Sequence, residues 1–234
     1  MKAINFMRAC FFAGLFLSQQ AAAQQSRFSL GLRAGLNLSN ANETIDYLDG
    51  KIGPKLGYQG GVTVEYQLYK RLCLQSGILV TAKGTKHRGT DLWIGGSNAP
   101  TTTWVRTTNL VYAQAPLRIA YKFPVASQID IFVNAGGYYA LGIAGKVVWK
   151  GKTNREEIPD KTTKFDSFGD ERGSFSKTDA GLGFGVGATY RRFSLGLDYE
   201  QGLVDIGALK DAATTNHRSY KNYNFALVLG YRLK

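Results

Sequence analysis

From residue 27 onwards the sequence alternates apolar and polar side chains with a period of two, and it does so in eight separate stretches. Successive side chains of an extended chain point to opposite faces, so this period specifies strands with one apolar and one polar face. In "RFSLGLRAGLNLSN" (27–40), Phe28, Leu30, Leu32, Ala34, Leu36 and Leu38 share one face. Ser29, Gly31, Arg33, Gly35, Asn37 and Ser39 share the other. The further stretches cover 55–68, roughly 72–85 and 104–123, then 129–145, 179–190, 193–201 and 222–233. No stretch after the first twenty residues is long and apolar enough for a membrane-spanning helix.

The connections between these stretches alternate strictly between short and long. "YKR" (69–71), "PVASQ" (124–128) and Arg191-Arg192 are short, whereas 41–54, 86–103, 150–178 and 203–221 are long. Every short turn therefore falls at one end of the strands and every long loop at the other. That pattern predicts an all-β fold: an eight-stranded antiparallel up-and-down transmembrane β-barrel over residues 24–234. Closure removes the free edges that lipid cannot satisfy. A soluble barrel would also alternate, with its apolar face inward. Here the polar face is rich in Gly, Ser, Thr and Asn, which suits a crowded interior better than a solvated wall. Aromatic residues also gather near the strand ends. Tyr66, Tyr121, Phe123, Tyr190, Phe193 and Tyr231 lie by the short turns, and Tyr58, Trp149, Tyr199 and Tyr223 lie towards the loops. Two such belts fit the two interfaces of a membrane.

The first residues agree with this placement. Lys2 and Arg8 precede the apolar run "ACFFAGLFL" (9–17), and Ala21 and Ala23 stand at peptidase spacing, so residues 1–23 read as a secretory signal peptide. The formal net charge of +12 would suit nucleic acid or an anionic membrane surface, and export favours the surface and excludes nucleic acid. Cys73 is the single cysteine beyond the leader, so an intrachain disulfide is excluded.

The stretches "GLRAGLNLSN" (31–40), "LVYAQAPLRIAYKF" (110–123), "DAGLGFGVGATY" (179–190), "LDYEQGLVDIG" (197–207) and "LVLGYRLK" (227–234) resemble the small outer-membrane β-barrel domain widespread in Bacteroidetes. This is the PorT or "porin family" type, a barrel similar to OmpA and OmpX. The resemblance implies an eight-stranded barrel in the bacterial outer membrane and, for most members, no defined activity. One member serves a gliding-associated secretion pathway, so a secretion-machinery subunit is among the readings it implies.

Four features carry candidate chemistry. Gly181, Gly183, Gly185 and Gly187 have the spacing G-x-G-x-G-x-G with no helix after them, which is unsuited to a dinucleotide loop. On the inward face they make room for groups such as Phe132 or Tyr138. Parity places Arg33, Glu65, Lys83, Arg118, Asp130, Asp198, Glu200 and Arg232 inside, where both signs favour a paired network that fills the lumen over an ion path. His217 and Ser219 in "NHRSY" echo a lipid A deacylase pair, without an acidic partner fixed by spacing. The basic "KGTKHRG" (83–89), with Lys86 and Arg88 and with Trp93 and Trp104 nearby, reads as an external loop suited to lipopolysaccharide phosphates or a protein partner. Neither metal-ligand spacing nor a cofactor motif is present. The expectation is a non-enzymatic barrel with a filled lumen, acting through its external loops. A narrow channel for ions or small solutes is the alternative, and a lipid A-modifying enzyme is the reading from a third class.

Overall fold

The computed structural model describes residues 27–45, 50–92, 101–153, 161–169, 174–207 and 218–233. The expected leader, Trp93 and His217 lie outside the described residues. The strands are β1 (Phe28–Ile45), β2 (Lys51–Tyr69), β3 (Leu72–Leu92), β4 (Thr101–Ala126), β5 (Ile129–Thr153), β6 (Lys161–Asp166), β7 (Thr178–Tyr190), β8 (Phe193–Gly202) and β9 (Arg218–Arg232). Eight of them close a ring in the order β1-β2-β3-β4-β5-β7-β8-β9, with β9 pairing back on β1 and every pairing antiparallel. The short β6 adds on to the upper part of β5, from Lys146 to Gly151.

The faces follow the alternation. Leu30, Leu32, Leu36 and Leu38 on β1, Leu117 and Ile119 on β4, and Leu195 and Leu197 on β8 point outward and are 38–60% exposed to solvent. Asn37, Ser39, Gln59, Gln114, Asn222 and Asn224 point inward and are buried. A chain with its leucines outside and its amides inside is soluble only in lipid. Two of the short connections are two-residue turns, Lys70-Arg71 and Arg191-Arg192, with Lys70 and Arg191 at positive φ. The third is shorter than the sequence suggests, because β4 runs on through Pro124 to Ala126.

At the other end the strands rise much further than the alternation indicates. β3 has 21 residues, β4 has 26 and β5 has 25. At about 3.4 Å per residue β3 alone is about 70 Å long, whereas a tilted strand crosses a membrane in about 9–11 residues. β7 has 13 residues and β8 has 10. The barrel therefore carries a lopsided β-walled extension above the membrane, tall along β2–β6 and low along β7–β8.

This extension corrects two expectations. Lys86 and Arg88 lie on β3, paired with Gly53 and Lys51 of β2, and not on a loop. Trp149 faces the lumen instead of joining the outer aromatic belt. The register of β4 against β5 slips between Val111 and Tyr112, and the slip inverts the parity of β5 above it. Trp149 accordingly packs on Trp104, ring centroids 5.4 Å apart, and Trp104 packs on His87 at 5.1 Å. Other outer-belt aromatics lie where the sequence puts them, in pairs such as Phe193 with Tyr231 and Tyr199 with Phe225.

Candidate functional site in the barrel lumen

The glycine stripe of β7 opens the lumen. A Cβ on Gly183 would stand 2.8 Å from Nη2 of Arg118, and one on Gly185 would stand 2.5 Å from Oδ1 of Asp198 and 2.8 Å from Oδ1 of Asn134. Gly187 leaves space for the Phe132 ring, and Gly181 for Tyr138. The bare strand is thus the floor on which a tier of charged side chains lies.

Arg118 is the centre of that tier. Its Nη1 donates to Asp198 at 2.5 Å and to Asn134 at 3.2 Å, and its Nη2 donates to Glu200 at 2.8 Å. Arg33 pairs with Asp198 from the opposite side. The Lys83 ammonium lies 3.0 Å from Glu200 and 4.1 Å from the centre of the Tyr138 ring, and Gln114 donates to Glu200 at 2.7 Å. Five of the eight inward charges foreseen from parity, Arg33, Lys83, Arg118, Asp198 and Glu200, therefore form one cluster that spans the lumen from β1, β3 and β4 to β8.

The other three stand apart. Glu65 pairs with Lys122 and accepts from Gln75 at 2.9 Å, nearer the short turns. Arg232 lines the same cavity as Glu65. Asp130 is half-buried one residue from the β4–β5 turn and has no ion pair among the described residues, so it does not join the network. Its position at the rim explains this, since the solvent of the short-turn side hydrates it. Lys122 shares the parity of Arg118, a signal in the sequence that would have found it.

Above the charged tier lies a second closure, which the alternation does not reveal. Leu110, Tyr112, Tyr138, Ala140, Val147 and Tyr220 face inward, and Phe175 and Ile206 from the connections after β6 and β8 pack among them. Phe175 and Ile206 are 2% and 0% exposed. Phe175 meets Tyr220 edge-on at 4.8 Å, and Phe168 meets Tyr112 at 5.4 Å. The polar segment 150–178 thus sends two aromatic rings down into the barrel.

Higher still, Arg106 pairs with Glu43 and its Nη2 lies 3.5 Å from Nδ1 of His87. Burial, and then the charge of Arg106, push the His87 imidazole below its ordinary range. Ser219 does meet a carboxylate, that of Asp205. Burial alone would raise the Asp205 carboxyl, but hydrogen bonds from the Ser219 hydroxyl and the Tyr220 and Gly207 amides outweigh it and hold it low. Asp205 thereby anchors the β8–β9 connection to the start of β9. No group of three or more His, Cys, Asp or Glu residues suited to a metal ion occurs among the described residues.

The sequence matches the model of the outer membrane protein beta-barrel domain family over residues 18–207. The chain belongs to that family. Its fold is the antiparallel outer-membrane barrel, and its location is the bacterial outer membrane. The family match ends before β9, the strand that closes the ring. Three solved outer-membrane proteins are similar to the chain. OprG from Pseudomonas aeruginosa is 11% identical with a TM-score of 0.43, the match covering 89% of this chain and 96% of that one. Neisserial surface protein A is 12% identical with a TM-score of 0.35, over 87% and 97%. Ail, the attachment invasion locus protein of Yersinia pestis, is 12% identical with a TM-score of 0.32, over 89% and 100%. Similarity at this level bears on neither ligand nor activity. No curated protein matches the sequence.

Proposed function

We propose that this family member is a sealed, non-enzymatic barrel that works from its outer wall by holding the phosphate groups of lipopolysaccharide in the outer leaflet. The observation that carries this reading is a cationic band on the outward face of the extension. Register places Lys51 beside Arg88, Arg88 beside Val105, and Val105 beside Lys150. On the row below, Lys86 stands beside Thr107, Thr107 beside Val148, and Val148 beside Lys164. Lys51, Lys86, Arg88, Lys150 and Lys164 are exposed, and none has an ion pair among the described residues.

A bulge in β2 between Pro54 and Gln59 brings Lys55 to the same wall, where its ammonium donates to Asn109 at 2.8 Å. Burial, and then the nearby Lys86 charge, lower the Lys55 pKa, as expected where cations crowd without anions between them. The band begins a few residues above the outward Ile78 and Val80 of β3, a height at which lipid phosphates meet the protein. Each cation at an anionic surface contributes about 1 kcal/mol, so several acting together hold a lipid firmly.

The narrow channel is the competing reading, and the two closures of the lumen stand against it. The test is co-purification with lipid A from mixed micelles at low and high salt, with bilayer conductance recorded on the same preparation. Retention of lipid A that high salt or the triple change Lys86→Gln, Arg88→Gln and Lys150→Gln abolishes is the expected result. Retention indifferent to both, or well-defined open conductance steps, would overturn the proposal.

A further inference from the structure

Below the charged tier, the lumen is not filled. A cavity of about 130 Å³ lies at the short-turn end of the barrel, bounded by Arg192 of the β7–β8 turn and by Arg232 near the end of β9. A single water needs about 10–15 Å³ on this measure, so the space accepts a group of several heavy atoms. Solvent reaches it, because the Arg33, Lys122 and Glu65 side chains on its wall remain 17–22% exposed.

The lining is unbalanced in charge. Its two carboxylates are already engaged, Asp198 by Arg33 and Arg118, and Glu65 by Lys122. Arg192 and Arg232 line the cavity without an ion pair among the described residues. Arg33 and Arg118 spend nitrogens on carboxylates, and their Nε atoms are shut off from the cavity, that of Arg118 lying against Gly183, so the two residues add charge to the wall. Arg118 is only 4% exposed and lines the cavity.

We propose that this cavity is a blind anion site, open to the periplasm and closed above by the ion-pair tier, that takes a phosphate-sized oxyanion. Arg192 and Arg232 supply the positive charge that the engaged carboxylates leave unbalanced, with Arg33 and Arg118 on the wall beside them. Planar guanidinium groups suit the oxygens of a phosphoryl or carboxylate group. This site is independent of the cationic outer wall, which lies at the other end of the strands.

Two sources could supply the group, free phosphate or the headgroup of an inner-leaflet phospholipid. The experiment uses the full chain folded in maltoside micelles free of phosphate, with the arginine Nε–H resonances followed by NMR. One arm adds inorganic phosphate; the other transfers the protein to phosphatidylglycerol nanodiscs. A saturable shift of arginine Nε–H resonances in either arm supports the site and identifies the source. Arg192→Gln and Arg232→Gln together should weaken the response about tenfold or more, and Lys161→Gln on the exposed β6 should leave it unchanged. Silence in both arms, or a response indifferent to the Arg192 and Arg232 changes, would overturn the proposal.

Discussion

Replacing Arg118 by alanine tests the charged tier most directly. The guanidinium is 4% exposed and makes ion pairs with both Asp198 and Glu200, so its loss leaves two buried carboxylates short of a partner. Breaking a buried pair by removing one member costs about 3–5 kcal/mol. The structure argues for the lower end of that range, because Asp198 keeps Arg33 and Glu200 keeps Lys83 and Gln114. About 3 kcal/mol corresponds to roughly two powers of ten in the folded-to-unfolded ratio. The assay is urea unfolding of the barrel in lipid vesicles, followed by heat-modified gel mobility. The reference is Lys164→Ala, a change on the exposed β6, which should move the midpoint by less than about 0.5 kcal/mol. Adding Asp198→Asn and Glu200→Gln to Arg118→Ala should deepen the loss, since Arg33 and the buried Lys83 are then left without a carboxylate. Equal midpoints for Arg118→Ala and Lys164→Ala would refute the reasoning.

Three further outcomes follow from particular contacts. Gly185→Ala forces Asp198 and Asn134 aside and should cost about 1–3 kcal/mol in the same unfolding assay, while Val186→Leu on the lipid face should be nearly silent. Phe175→Ala removes a buried ring from the upper closure at a cost of about 3–5 kcal/mol, and protease added outside intact cells should then cut between 167 and 177. Uncut protein would contradict the role given to that ring. The His87 imidazole, depressed by burial and by Arg106, should titrate below about 6.5 by NMR. The unfolded chain then binds the proton first as pH falls. The extension is therefore most stable above about pH 6.5 and loses stability as pH drops through the folded value. A titration midpoint at or above 6.5 excludes this.

The sequence by itself determined the barrel. Period-two alternation decides which residues face lipid, and the alternation of short and long connections decides which end holds the turns. Both are local properties of an extended chain, so no tertiary information was needed to assign Arg33, Lys83, Arg118, Asp198 and Glu200 to the inside. The glycine run "DAGLGFGVGATY" was legible in the same way, as room left for larger inward groups.

What only the tertiary structure decided depends on register and on long-range packing. A one-residue slip between β4 and β5 turned Trp149 inward, and no periodicity within β5 records it. Polar, glycine-rich stretches look like loops, yet Lys86 and Arg88 are held in β3 because β2 and β4 flank them and supply backbone partners. Phe168, Phe175 and Ile206 close the lumen because the fold places an apolar hollow beneath them. Which cation meets which carboxylate was likewise unreadable, since Arg118 finds Glu200 across 82 residues of sequence. Ring closure alone brings those two strands to opposite walls of one narrow lumen.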